Sequence, residues 1–390
     1  MPGWKSIFTK YLSFIEDTWD KLRFDFVKKM GLNDPVQIVP YRTYGTANRL
    51  YIKGRMLEDK NISAASDKDT VLNNLLNMYK RFESDEVPQA RLGVLLQNEL
   101  HETTTDKEGY FVLNLQPLTP VINEQLWHPV PVKLISAPIP FTAGLQVYAE
   151  VMIPPPDAEY GIISDIDDTI VKTGATNLLA MSRATFLNNA KTRLPFAGVA
   201  EFYKALQLGR NGKRNNPFFY VSSSPWNLYD LLKDFLDLNE IPAGPLLLRD
   251  FGLEYVTASA KGGHLGHKLK EIKQILDAYP HLNFVLIGDS GQEDPVIYRE
   301  VVKEFKGRIL AIYIRDVQLP ERTKIAVDIS GALKDDKIEM IIVDDTAEAA
   351  KHAAENGLIF TQAIAAIEQD KKEDEGVVPG KEEATVIGEL

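Results

Sequence analysis

One short stretch restricts this chain more than any other. Gly161-Ile162-Ile163-Ser164 is an apolar run of the kind that forms a buried strand, and Asp165-Ile166-Asp167-Asp168-Thr169 follows it directly. Side chains two residues apart on a strand share a face, so Asp165 and Asp167 leave the strand end on the same side. Two carboxylates at the carboxyl end of a central strand repel each other and lose hydration unless a cation sits between them. A hard divalent ion such as Mg²⁺ fits that description. One Asp can then attack an electrophile while its neighbour handles a proton, as phosphoryl transfer through an aspartyl-phosphate requires. The same letters also read as an acidic turn that only caps the next helix.

From this point strand and helix signals alternate. Strands are expected at 161–166, 217–222, 283–288 and 308–314, and helices within 177–208 and at 226–238, 266–278 and 295–304. Ile338–Val343 and Ala347–Asn356 add a strand and a helix at an edge. The pattern predicts an α/β fold built on a doubly wound parallel sheet.

Two more of these strands end in polar residues. Phe218-Phe219-Tyr220-Val221 runs into Ser222-Ser223-Ser224-Pro225-Trp226, where Pro225 suits a first helical turn whose amino end favours an anion. Phe284-Val285-Leu286-Ile287-Gly288-Asp289 runs into Ser290-Gly291-Gln292-Glu293-Asp294-Pro295, and Lys268 lies in His267-Lys268-Leu269 between them. Taken in order, these stretches resemble the four motifs of the haloacid dehalogenase superfamily of phosphatases.

The resemblance implies a nucleophile and metal ligand at Asp165 and a general acid/base at Asp167. It implies a phosphate-holding hydroxyl at Ser222 and a neutralising lysine at Lys268, with Lys261 as the fallback. Asp165, Asp167 and Asp289 would bind Mg²⁺, while Thr169 closes the first motif and Asp294 holds a water ligand or Lys268. Only Lys172 to Arg193 separates the first motif from Pro195-Phe196-Ala197-Gly198-Val199, so the cap should be small. In fuller wording the stretch from about 154 to 320 is similar to the catalytic domain of the actin patch protein family, Mg²⁺-dependent phosphatidate phosphatases, in its bacterial type. That implies hydrolysis of phosphatidate to diacylglycerol and phosphate. A phosphatase of another phosphomonoester or of a phosphoprotein shares these motifs, and a non-catalytic lipid- or protein-binding module on the same fold is the rival from another class. Gly288-Asp289-Ser290-Gly291 also occurs in trypsin-like proteases, but Gln292-Glu293 follows and the surroundings are α/β.

Upstream, Trp4, Phe8, Tyr11, Leu12, Ile15, Trp19, Leu22 and Phe26 form one face of an amphipathic helix within residues 1–31. Peripheral membrane contact through residues 4–29 and packing on the protein's own surface both account for that stripe. Residues 37–153 read as a β-sandwich accessory domain interrupted by a helical insertion around Val71 to Phe82, with Asp106-Lys107-Glu108-Gly109 as a hairpin turn. His101 and His128 lie within it, apart from any catalytic grouping. Pro154-Pro155-Pro156 marks the boundary to a phosphatase domain over 154–367, and 368–390 reads as a disordered acidic tail.

Ile341-Ile342-Val343-Asp344-Asp345-Thr346 repeats the strand-then-acid pattern one strand too late, and an N-cap explains it. A net charge of -11 argues against nucleic acid as a partner. The absence of cysteine excludes thiolate chemistry and disulfides, and cytoplasmic residence is the expectation.

Overall fold

The computed structural model describes residues 36–58, 86–121, 125–170, 196–249 and 263–376. The expected amino-terminal helix, the insertion near 71–82, the cap segment 172–193, Lys261 and residues 377–390 lie outside the described residues.

Among the described residues eight strands come first: β1 (Val36–Pro40), β2 (Thr43–Thr46), β3 (Arg49–Glu58), β4 (Arg91–Leu96), β5 (Glu99–Thr104), β6 (Tyr110–Leu115), β7 (Trp127–Ser136) and β8 (Gln146–Met152). They form one hydrogen-bonded sheet in the order β1-β3-β2-β8-β7-β4-β5, with β6 on β3. A β-sandwich is the expectation for 37–153, and among the described residues β2 bonds to both β3 and β8, so its strands form one continuous ladder. Alternation still sets the core, since Phe111, Leu113 and Leu115 from β6 meet Val130, Val132 and Leu134 from β7 in one apolar cluster. The Asp106 turn forms, with Asp106 Oδ1 accepting from Glu108 N and Tyr110 N at 3.0 and 2.9 Å. Its flanking strands part, however: β5 ladders with β4 and β6 with β3, and Thr103 Oγ1 donating to Val112 O at 3.0 Å bridges them.

A second sheet of six parallel strands follows: β9 (Gly161–Ser164), β10 (Phe218–Pro225), β11 (Leu246–Arg249), β12 (Phe284–Asp289), β13 (Ile309–Arg315) and β14 (Met340–Val343). The order is β11-β10-β9-β12-β13-β14. Chain progression runs one way from β9 to β11 and then resumes on the other side of β9, so the crevice at the carboxyl ends of β9 and β12 is a switch point.

Helices α1 (Val199–Leu208), α2 (Tyr229–Leu238), α6 (Thr346–Glu355) and α7 (Ala363–Gly376) pack on one face. Helices α3 (Gly263–Ala278), α4 (Asp294–Glu304) and α5 (Pro320–Leu333) cover the other. No described helix is long and apolar enough to cross a membrane.

Helix α7 runs to Gly376, so the part of the acidic tail from 368 to 376 is helical. Composition suggested disorder, but its charges have partners. Asp374 Oδ2 accepts from Gly198 N at 2.9 Å and Asp370 Oδ2 from Glu201 N at 3.3 Å, both at the amino end of α1, and Lys371 pairs with Asp345 at 3.0 Å.

The two sheets share an aromatic seam. Tyr41 stacks on Trp226 at 4.8 Å and lies 4.2 Å from Tyr229, whose hydroxyl accepts from Arg42 N at 2.6 Å. Tyr279 donates to Gly45 O at 2.8 Å, and Arg42 grips Asp237 at 2.8 and 3.1 Å. Tyr41 belongs to the core of one face of the parallel sheet and Leu126 and Met152 to the other.

Candidate active site

The carboxyl ends of β9, β10 and β12 place the polar motifs side by side. Ile163 and Ser164 sit inside the sheet, and Asp165 N donates to Ile287 O at 2.9 Å, which locks the first Asp beside the strand that carries Asp289. Asp165 is 2% exposed, Asp167 1% and Asp289 0%. Asp168 has φ 54°, a left-handed turn that Asp tolerates better than most residues and that sends the chain away after Asp167.

Lys268 reaches in from α3. Its Nζ lies 2.7 Å from Asp294 Oδ1 and 3.0 Å from Asp165 Oδ1, the latter an ion contact off the line of a hydrogen bond. It also approaches Gln292 Oε1 at 3.4 Å. Asp289 Oδ1 accepts from Gly291 N at 2.6 Å and Gln292 N at 2.9 Å, so the loop folds over one oxygen and leaves the other. Asp289 N donates to Asp294 Oδ2 at 3.2 Å. That contact requires glycine at 288, since a Cβ there would meet Asp294 Oδ2 at 2.5 Å.

Carboxylate oxygens of Asp165, Asp289 and Asp294 lie within 4.8 Å of one another. Asp165 Oδ2 and Asp289 Oδ2 are buried and accept no hydrogen bond among the described residues. Unpaired buried carboxylate oxygens in a set this tight suit a shared cation.

Asp167, expected among the ligands, is outside this grouping. Its Oδ2 accepts from Ser222 Oγ at 2.9 Å and Ser224 Oγ at 3.2 Å, and its Oδ1 is buried without a partner among the described residues. Asp294, expected in support, takes the third place in the set and also pairs with Lys268. Thr169 is buried, its hydroxyl without a partner among the described residues.

Burial dominates the proton chemistry. It pushes the Asp165 carboxyl well above the ordinary range, against the pull of Lys268 and with the help of Asp294, Asp289 and Asp167. Burial raises Asp167 too, opposed by the Ser222 hydrogen bond. Burial and then Asp294 push Asp289 up to about 7, against Lys268. Burial alone would lower Lys268, but Asp165, Asp294 and Asp289 outweigh it and hold the ammonium charged.

Other candidates fall elsewhere. Asp345 is the N-cap of α6, accepting from Ala347 N and Glu348 N at 2.7 and 3.2 Å, as its position suggested. His101 and His128 sit on β5 and β7, away from the cluster. Sequence reasoning missed Ser224 and Gln292. The Ser222-x-Ser224 spacing at a strand end was the available signal for the first, by the same alternation that pairs Asp165 with Asp167.

Residues 160–316 match the family model of the phosphatidate phosphatase APP1 catalytic domain. The Saccharomyces cerevisiae protein named phosphatidate phosphatase APP1 is 37% identical over 160 residues, 40% of this chain and 25% of its own. An uncharacterized protein of Schizosaccharomyces pombe is 33% identical over 168 residues, with the same coverage of 40% and 25%. The chain thus spans about a quarter of the length of the curated relatives it matches. Among solved structures, a carbohydrate acetylesterase from Xanthomonas citri covers 77% of this chain and 66% of its own at 10% identity with a TM-score of 0.25, too distant to bear on function. Every member of the buried acidic cluster, together with Lys268, Asp167 and Ser222, falls inside residues 160–316, the stretch that matches the catalytic domain of phosphatidate phosphatase APP1.

Proposed function

We propose that this chain is a Mg²⁺-dependent phosphatase of the haloacid dehalogenase type that works through an aspartyl-phosphate, with phosphatidate as its substrate. The observation that carries the reading is the pair of buried, unpartnered oxygens on Asp165 and Asp289 beside a charged Lys268. Asp165, Asp289 and Asp294 against one lysine leave surplus negative charge in a buried place, which a divalent cation offsets. When bound, Mg²⁺ draws charge from the phosphoryl oxygens.

In the first step an Asp165 oxygen attacks phosphorus, the ester P–O bond breaks, and Asp167 gives its proton to the leaving alkoxide. Burial raises the Asp167 carboxyl, the direction that a general acid needs. Lys268 compensates charge on the phosphoryl oxygens, and Ser222 and Ser224 hold Asp167 in place. In the second step water attacks phosphorus, Asp167 takes its proton, and the Asp165–phosphate bond breaks to release phosphate. Phosphatidate enters through the relative named for it. Residues 4–29 would bring the enzyme to the membrane surface from the cytoplasm, so deleting 1–30 should lower turnover in vesicles and spare a soluble ester.

The test is phosphate release from phosphatidate in vesicles, lysophosphatidate, an aryl phosphate and phosphopeptides, each with Mg²⁺ and with EDTA. Metal-dependent release favouring phosphatidate is expected. Release favouring soluble esters or phosphopeptides would move the substrate and keep the chemistry. No release from any of them would leave a non-catalytic binding module.

A further inference from the structure

Arg315 is the last residue of β13 and stands in register with Asp289 of β12. Its backbone oxygen accepts from Ser290 N at 2.8 Å, which holds the loop that carries Asp289. Its guanidinium holds the loop that carries Asp165: Nε donates to Thr169 O at 3.3 Å, while Nη2 donates to Thr346 Oγ1 at 3.0 Å. Thr346 Oγ1 in turn donates to Ala197 O at 2.8 Å, and Phe196 N donates to Ile170 O at 2.9 Å. The Phe196 ring lies 4.0 Å from the guanidinium. One side chain therefore pins both ends of the chain that leaves and re-enters beside the nucleophile.

Stability alone does not explain the choice of residue. Arg315 is buried, and the side-chain hydrogen bonds given for it go to neutral acceptors, Thr169 O and Thr346 Oγ1, while the charge of Asp345 acts on it without a direct contact. A buried cation in that state is costly, and an apolar side chain of similar length would fill the place with less penalty. The small cavity beside it, about 20 Å³, is room for a single water between Thr169, Tyr203, Arg315 and Thr346. Thr169 has no hydroxyl bond of its own among the described residues to steady the turn.

We propose that Arg315 is a positioning residue for the nucleophile, fixing the Asp165–Ile170 turn against the Asp289 loop so that their carboxylates face each other at a set distance. Its kinetic consequence rests on the phosphatase reading above.

The test compares Arg315→Met and Arg315→Lys with the wild type in the full chain. Hydrogen exchange is followed at the amides of Thr169 and Ile170, which bond to Ile166 O at 3.4 and 2.9 Å, and kcat and KM are measured on an aryl phosphate with saturating Mg²⁺. In Arg315→Met these amides should exchange at least about tenfold faster while the sheet stays protected, and kcat should fall about 10–100-fold with KM within about threefold. Arg315→Lys should recover part of the loss, since an ammonium reaches one of the two oxygens and lacks the planar stacking face. Unchanged exchange with kcat within about twofold would overturn the proposal. So would a rise in KM at constant kcat, or protection lost across the whole sheet. If Arg315→Met fails to fold, Thr346→Val removes one acceptor and should loosen the same amides to a smaller degree; no change there overturns the proposal as well. A wild type that hydrolyses no phosphate ester sinks the phosphatase reading, while the exchange data still decide whether Arg315 holds the turn.

Discussion

Asp289→Asn should make the metal-free protein more stable at neutral pH. The substitution keeps the Oδ1 that accepts from Gly291 N and Gln292 N at 2.6 and 2.9 Å, and replaces the oxygen that has no partner with an amide nitrogen facing acidic neighbours. Burial and Asp294 hold the folded carboxyl at about 7, against about 3.8 in an unfolded chain. Between those two values the folded state binds more protons, so stability falls as pH rises through the window and the full penalty stands above about pH 7. At about 1.4 kcal/mol per tenfold change, the gap costs about 4 kcal/mol at pH 7.5 and about 1 kcal/mol at pH 4.5. Thermal melts in EDTA should therefore place Asp289→Asn roughly 5 °C above wild type at pH 7.5, with the difference shrinking to about one degree at pH 4.5. Added Mg²⁺ should raise the wild type and leave the variant nearly unmoved. A variant that melts at or below wild type in EDTA at pH 7.5 would refute the claim that the cluster stores charge repulsion.

Three further outcomes follow from the geometry. Asp165→Asn should abolish turnover and any covalent phosphoenzyme, whereas Asp167→Asn should slow alkyl phosphates by roughly 10²–10⁴-fold and aryl phosphates less; equal losses on both substrates would remove Asp167 from the acid role. Asp345→Ala deletes the α6 cap and the Lys371 pair, so it should cost about 1 kcal/mol in denaturant melts and leave kcat unchanged; a dead variant would reopen Asp345 as a ligand. A chain starting at Pro154 exposes the partners of Tyr41, Tyr44 and Met152, including Trp226 and Phe219, and should aggregate; recovery of a soluble, folded, active protein would show that the seam is dispensable.

The strand ends were legible in the sequence because they combine two signals that seldom coincide by chance, an apolar run and an abrupt acid or serine. Lys268 was legible only through family resemblance, since a lysine on a helix carries no local sign that it points inward. Strand β11 escaped because Leu246-Leu247-Leu248 is too short to separate from a buried loop by periodicity, and α5 because exposed Ile325 and Val327 beside buried Ala326, Ile329 and Leu333 blur its helical stripe. Which carboxylates gather is a matter of side-chain direction beyond the strand. Alternation placed Asp165 and Asp167 on one side, but the turn at Asp168 and the two serine hydroxyls draw Asp167 away. Arg315 gave no signal because its role is made of contacts to Thr169, Thr346 and Phe196, which lie far from it along the chain.

The last described helix carries contacts on which the start of α1 depends. Asp374 and Asp370 supply, from more than 160 residues away, the acceptors that α1 lacks at its own start, where Gly198 offers no side chain to cap it. Ile367 on the same helix sits in the core beneath. The stretch that matches the family model stops at 316, before β14, α6 and α7, and with them Thr346 and the two capping acids. A protein trimmed to residues 160–316 would keep the buried acidic cluster and lose Thr346 and the acids that cap α1, so a fragment meant to fold around the cluster has to be cut by packing, at or beyond Gly376.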